Sequence, residues 1–234
     1  MKLFRPGLLP YGQALALQLS LRAKLQEEEA DESIGYLLLV EHPPVVTLGK
    51  RGRLEDLFGL QDLKERGTEI FRIDRGGEAT YHGPGQLVIY PVLRLNSIGL
   101  GVVDLIRGMA ASLAETLEEY GVKAKYDCDH PGLWTVDTPA RKIASVGMRV
   151  SGGVTTHGAA LNLTNDLTPF SLFVPCGMPG APLTRLQDYQ ENPVDIAAFS
   201  DRFLVHFARF LEVEFQEITL ALPPEDQWVA PLEI

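Results

Sequence analysis

Two cysteines, a lysine within a strand-like run, two histidines each followed by glycine and one glycine-rich loop are the candidates for chemistry in this chain of 234 residues. Cys176 lies in Phe173-Val-Pro-Cys-Gly-Met-Pro-Gly180, where Pro175 and Gly177 set it on a turn. Its own and the next backbone N–H could there point at one oxygen, as an acyl nucleophile needs beside a developing oxyanion. Most free cysteines are small buried hydrophobes, and at this point both roles stay open. Cys128, in Tyr126-Asp-Cys-Asp-His130, has an acid on either side that disfavours the thiolate, so it is the weaker nucleophile.

Lys142 sits in Arg141-Lys-Ile-Ala-Ser-Val-Gly-Met-Arg149. Strand alternation puts Lys142, Ala144 and Val146 on one face and Ile143, Ser145 and Gly147 on the other. An ammonium among small apolar side chains would lower the pKa of a neighbouring thiol. The alternative is an edge-strand lysine that guards against aggregation. His82 and His157 could each partner Cys176 or simply hydrogen-bond within a sheet, and His82 is favoured by its loop. Neither has a carboxylate or second histidine at ligand spacing, so no metal site is expected. His42, His130 and His206 are assigned to structure. The loop Arg75-Gly-Gly-Glu-Ala-Thr-Tyr-His-Gly-Pro-Gly-Gln86 carries four glycines among polar side chains, and reads as a wrap around a ligand or as an elaborate turn.

The elements that must position these residues follow from periodicity. Ala14, Leu17, Leu21 and Leu25 predict a helix over 11–28, with a solvated acidic exit over 27–32. Strands are predicted over 36–41 and 45–49, broken by Pro43-Pro44, with a basic loop over 49–53. A strand over 69–73 leads into the glycine-rich loop, and one over 87–90 leads out and is stopped by Pro91. Val102, Leu105, Ile106, Met109, Leu113 and Leu117 predict a helix ending near Gly121. Strands over 123–127, 132–136, 142–150 and 155–163 form antiparallel hairpins. A last helix lines up Ile196, Phe199, Phe203, Phe207 and Phe210 as core, and the tail beyond Leu222 is an irregular wrap. No repeat or linker divides the chain, so one α+β domain over 1–234 is expected.

Composition excludes several classes. A formal charge of −10 argues against nonspecific nucleic-acid binding. The longest aliphatic run, near Leu37-Leu-Leu-Val40, is far too short to cross a bilayer, and no signal-peptide core is present. With two cysteines there is no disulfide framework, and a cytoplasmic protein is expected. Nothing demands a dimer, so a monomer is expected.

Together, Glu41-His-Pro-Pro44, Arg75-Gly-Gly77, Thr80-Tyr-His-Gly-Pro-Gly-Gln86, Tyr90-Pro91, Lys142-Ile143 with Ser145 and Gly147, His157-Gly158, Leu161-Asn162 and Cys176-Gly177 resemble the lipoyl(octanoyl) transferase family. The pieces fall in order over about residues 36–186. The resemblance implies the fold of biotin and lipoate protein ligases, with a larger mixed sheet and a smaller one flanked by helices. It implies octanoyl transfer from acyl carrier protein to a lysine on lipoyl domains of 2-oxoacid dehydrogenase E2 subunits and the glycine-cleavage H protein. Cys176 would carry the thioester and Lys142 would activate it. Arg75, Gly76, Gly77, Glu78, Ala79, Thr80, Tyr81 and His82 would line the acyl site with Ser145, Val146, Gly147, Gly158, Ala159 and Ala160. The acyl donor brings its own phosphopantetheine, so neither ATP nor metal is expected.

The rivals are an ATP-dependent ligase on the same fold, a transferase between two lipoyl-accepting proteins, a noncatalytic acyl-binding module and a Cys/His thioesterase. Cys176-Gly177 with Lys142 argues against the ligase, which needs no cysteine. Both expected partners are acidic, so docking needs local positive charge, and Lys50, Arg51 and Arg53, with Arg72, Arg75 and Arg149, are the candidates. Charge reversal at Arg51 and Arg53 is expected to slow carrier association most at low ionic strength, read by stopped-flow mixing; unchanged low-salt rates would remove that surface from consideration.

Overall fold

The run Tyr36–Val40 is buried on both faces because it crosses the interior of a large mixed sheet. The computed structural model describes residues 1–27, 34–175, 177–178 and 180–234. Beyond Glu27 the predicted acidic exit lies outside the described residues, and so does Cys176.

In chain order the first half comprises β1 (Lys2–Leu8), α1 (Tyr11–Glu27), β2 (Gly35–Glu41), β3 (Val45–Leu48), α2 (Leu60–Glu65), β4 (Glu69–Arg72), β5 (Ala79–His82) and β6 (Gln86–Leu93). The second half adds α3 (Leu95–Ile98), α4 (Val102–Glu119), β7 (Ala124–Asp127), β8 (Gly132–Thr135), β9 (Lys142–Ser151), β10 (Val154–Asn162), α5 (Ile196–Leu211) and β11 (Gln216–Glu217). Eight strands form the large sheet in the order β11-β1-β2-β6-β10-β9-β8-β7, and β4-β3-β5 form the small one. The expected α+β architecture of two unequal sheets with flanking helices is therefore present.

Period-2 alternation sorts the core into layers. Leu37 and Leu39 face α4 and α5, packing with Leu105, Met109, Leu113, Phe199, Phe203 and Phe207. Tyr36, Leu38 and Val40 face the other way, against Leu17, Leu21 and Leu25 of α1. The small sheet buries Val46, Leu48, Ala79 and Tyr81 against Phe170 and Phe173. The α5 register holds because the Asp195 carboxylate accepts from the backbone N–H groups of Ala197 and Ala198, a helix N-cap.

Three expectations are corrected. Pro91 does not stop its strand: β6 runs on to Leu93, with Pro91 opposite Leu37. The pairing of β6 with β10 covers Gln86–Ile89 only, and farther along the Thr155 hydroxyl accepts from the Leu93 N–H at 2.9 Å and donates to the Pro91 carbonyl at 2.5 Å. A side chain thus repairs the ladder where proline lacks its donor. The glycine-rich segment is not all loop, because residues 79–82 form β5. Strand β1 and helix α2 were not anticipated; β1 pairs in parallel with β2 and β11.

The tail wraps as expected, along a definite path. Ile218 donates to the Leu3 carbonyl, Val229 to Gly12 at the start of α1, and Leu232 to Ile70 of the small sheet. Phe203→Ala should cost about 3–5 kcal/mol in urea unfolding, since Phe203 is fully buried and stacked on Phe207. Val205→Ala, on the exposed face of the same helix, should change stability by less than about 0.5 kcal/mol; equal effects would contradict the assigned core face.

Candidate active site

A cavity of about 500 Å³ opens between the two sheets beside the start of α1. The small sheet contributes one face of β5. Thr80 and His82 line the cavity, while Ala79 and Tyr81 point into the core behind. This alternation divides the expected acyl-binding segment in two. The preceding loop supplies Arg75, Gly76, Gly77 and Glu78. Arg75 is buried and sets that loop's shape: its guanidinium donates to the Thr47 hydroxyl and carbonyl and to the carbonyls of Gly76 and Glu78, at 2.8–3.3 Å. Backbone N–H groups of Gly49, Lys50 and Arg51 close on Glu78, Arg75 and Gly77. Arg75 is thus no docking residue, whereas Lys50, Arg51 and Arg53 are exposed.

The large sheet contributes Ser145, Val146 and Gly147 of β9 and Gly158, Ala159 and Ala160 of β10. Gly147 and Gly158 stand opposite each other, so two side chains are missing at one register position. The vacancy is used: a Cβ on Gly147 would lie 3.0 Å from the Gly76 carbonyl oxygen. His157, just before, has φ +59°, a left-handed conformation uncommon for a residue with a Cβ. Its N–H donates to the Gln18 side chain at 2.8 Å, and its Nε2 meets Asp74 at 3.1 Å. Asp74 also holds Arg149 at 3.4 Å, which occupies another docking candidate.

Beneath the cavity is a buried polar cluster. His82 Nδ1 lies 2.7 Å from the Gln86 side-chain oxygen and donates to it, leaving Nε2 without a proton in the neutral ring. Gln86 in turn donates to the Tyr81 carbonyl and to Asn162. His42 Nδ1 donates to the Leu9 carbonyl, and its Nε2 accepts from the Tyr90 hydroxyl at 2.8 Å. Tyr11 stacks on His82 with ring centroids 6.0 Å apart. Burial, then the neighbouring His42, push the His82 pKa down to about 3, and burial lowers that of His42 to about 4. Both rings are neutral at pH 7. Burial also lowers the pKa of His157, against the opposing pull of Asp74.

Lys142 begins β9 and is only 2% exposed. It is not on a sheet edge, since β9 lies between β8 and β10, and the edge-strand alternative falls. Its Nζ has no hydrogen-bond partner among the described residues and stands 5.6 Å from the centre of the Trp134 ring. Gly132 makes room: a Cβ there would come within 2.6 Å of the lysine Cε. The Lys142 backbone pairs with the segment after position 176, donating to the Pro182 carbonyl at 2.7 Å and accepting from Thr184 at 3.0 Å. Upstream, Pro175 bridges to Ala79, while Gly177 and Met178 line the cavity. Lys142 is outside the cavity lining. The flanks of Cys176 therefore run from the cavity wall to Lys142, although Cys176 itself is not among the described residues.

Cys128 is exposed, with its Sγ 3.9 Å from an Asp129 oxygen. Asp127, Cys128 and Asp129 bring ligand atoms within 4.8 Å on a surface turn, where Asp127 already accepts from the backbone of Asp129 and His130. Twelve of the expected acyl-site residues meet at the cavity; Ala79 and Tyr81 do not. Residue chemistry left His42, His130, Tyr11 and Tyr90 outside the site, yet His130, Tyr11 and Tyr90 line it and His42 supports it. The motifs Glu41-His-Pro-Pro44 and Tyr90-Pro91 contained the signal for two of them, whereas nothing in the sequence singled out Tyr11.

An imidazole held neutral in the fold but with a pKa near 6.5 when unfolded stabilises the fold fully above pH 6.5. As pH falls, that contribution is lost, by up to about 1.4 kcal/mol per pH unit for each histidine, toward pH 3 for His82 and pH 4 for His42. The urea midpoint should therefore fall between pH 7 and 4.5, with a shallower pH slope in His82→Gln. The same slope in that variant would show that His82 is not held neutral.

The Lipoyl protein ligase A/B catalytic domain model matches residues 10–208. The chain is 39% identical over 209 residues to the octanoyltransferase of Solibacter usitatus, covering 89% of this chain and 91% of that protein. It is 43% identical over 189 residues to that of Pseudomonas fluorescens, covering 81% and 84%. Among solved structures, the bi-partite lipoate protein ligase of Thermoplasma acidophilum superposes with a TM-score of 0.74 at 18% identity, covering 97% of this chain and 88% of that one. The biotin protein ligase of Aquifex aeolicus, solved with biotin and ATP, gives 0.53 at 14% identity over 90% and 70%. These likenesses establish the shared fold. No helix among the described residues is long and apolar enough to cross a membrane. The chain belongs to the octanoyltransferase family of lipoyl protein ligase A/B catalytic domains, and it is an acyltransferase.

Proposed function

We propose that the protein takes an octanoyl group from octanoyl-acyl carrier protein onto Cys176 and passes it to the target lysine of a lipoyl domain. The acceptors would be 2-oxoacid dehydrogenase E2 subunits and the glycine-cleavage H protein. The octanoyltransferase relatives support the acyl group, and the Thermoplasma ligase, described with its E2 lipoyl domain, supports the acceptor class. The observation that carries the mechanism is the buried Lys142 Nζ, without a hydrogen-bond partner among the described residues, on a strand whose backbone is bonded to Pro182 and Thr184. A buried ammonium requires a counter-charge, and a thiolate at position 176 would provide one.

In the first half-reaction the Cys176 thiolate attacks the carrier thioester. A new S–C bond forms, and the phosphopantetheine sulfur departs with a proton from Lys142. In the second, the acceptor nitrogen attacks the acyl-enzyme, the C–S bond breaks, and Lys142 regains a proton from that nitrogen. Thioester exchange is nearly thermoneutral and amide formation runs downhill, so the cycle needs neither ATP nor a metal. The Gly147–Gly158 bed and Ala160 suit a hydrocarbon chain.

Peptide-mapped mass spectrometry after incubation with octanoyl-carrier protein, without ATP, should find the octanoyl adduct on the Cys176 peptide. An adduct on Cys128, or transfer that depends on ATP, would overturn the reading. Lys142→Arg keeps the charge but removes the base, and should lower kcat by about 10²-fold or more; full activity would sink the two roles given to Lys142.

A further inference from the structure

We infer that the Glu78 carboxylate is an ammonium-binding subsite for the incoming lysine of the acceptor protein, an inference that rests on the acyl-enzyme reading above. Glu78 lines the cavity with its side chain 24% exposed. One of its oxygens lies 2.7 Å from the point where a Cβ on Gly177 would stand, so the carboxylate rests against the residue that follows Cys176. Gly177 needs its lack of a side chain for a second reason, its φ of +71°. A carboxylate is a poor wall for a hydrocarbon, because burying its charge against an apolar chain is costly. Its position beside the turn calls for a polar ligand.

The second half-reaction brings such a ligand. A lysine side chain arrives as an ammonium at neutral pH, and its nitrogen must come to about 3–3.5 Å from the acyl carbon of the thioester. A carboxylate at the turn holds it there by a charge-assisted hydrogen bond. The present partner of Glu78 is displaceable: Arg51 Nε reaches one oxygen at 3.1 Å, and the arginine is 67% exposed, the kind of bridge that contributes little. Among the described residues no hydrogen bond holds the oxygen nearer Gly177, which is the one offered to the newcomer. The proton balance closes. Of the two protons the acceptor nitrogen loses, one replaces the proton that Lys142 gave to the carrier thiol, and the other leaves to solvent past Glu78. Asp129 is the other carboxylate among the described cavity-lining residues, but it is an exposed turn residue after β7.

The test separates the half-reactions in the full-length protein. Octanoyl-enzyme formation is followed by intact mass, and the acyl-enzyme is then discharged either by a lipoyl domain or by hydroxylamine, which is largely uncharged near pH 7.5. Glu78→Gln, nearly isosteric, is read on acyl-enzyme already formed, so that its rate of acylation does not enter, and its discharge to hydroxylamine is the internal reference. Discharge to the lipoyl domain should slow by about 10–100-fold, the loss expected for one charge-assisted hydrogen bond. Unimpaired transfer to lysine in Glu78→Gln overturns the inference, as does equal slowing with hydroxylamine. A loss that follows Asp129→Asn instead also overturns it. If the unmodified protein forms no octanoyl-Cys176, the acyl-enzyme reading itself fails at the first step, before any variant is compared.

Discussion

The guanidinium of Arg75 is the tie on which the cavity's geometry depends. It is buried and donates to carbonyls and a hydroxyl on β3 and on its own loop. Five donors in a fixed fork suit that task, and a flexible ammonium could not span the same acceptors. Through these bonds the loop from Gly76 to Glu78 is held against β3, which in turn sets where β5 starts and which of its side chains face the cavity. The fixed positive charge also reaches outward: it disfavours protonation of His82 and His157 and favours ionisation of Tyr11. One side chain thus shapes the wall and biases the protonation of what lies beneath it.

The cavity itself is largely made by omission. Gly147 on β9 lacks a side chain where the small sheet's loop comes close, Gly158 on β10 lacks one where β6 comes close, and Gly49 lets the basic loop lie on Gly77. What remains is a bed of backbone and alanine with polar groups concentrated below and at the mouth. Such a division suits a substrate with a long apolar part and a reactive polar end. Neutral histidines below the bed add hydrogen bonding without net charge, which an apolar chain tolerates better than an ion.

Much of this was legible in the chain. The glycine-rich segment announced close backbone approach, but alternation put Ile143 and Ala144 on opposite faces, and both enter the same core because the β8–β9 register shifts beside Lys142. Alternation could also have separated Thr80 and His82 from Ala79 and Tyr81, but a segment read as loop was not given a period. Pro91 misled because its ladder is mended by Thr155, a residue 64 positions away. The charge of Arg75 suggested docking, since sequence shows charge but not which carbonyls will enclose it. Tyr11 reaches the site only through the way α1 enters between the sheets, a tertiary fact with no local signature.

The path of the tail bears on how the molecule comes into being. The match to the catalytic-domain model ends at residue 208, yet the residues beyond it join both sheets: Ile218 bonds to β1, and Leu232 bonds to β4 across the start of α1. On a ribosome, strands β2 to β10 would emerge and pair while β1 still lacks its outer neighbour and the small sheet still lacks its last tie. The bonds of the tail are therefore among the last to form, after every described residue that lines the cleft has been made. Until then β1 presents an unpaired outer edge, so synthesis has its own vulnerable interval, set by the order of the chain.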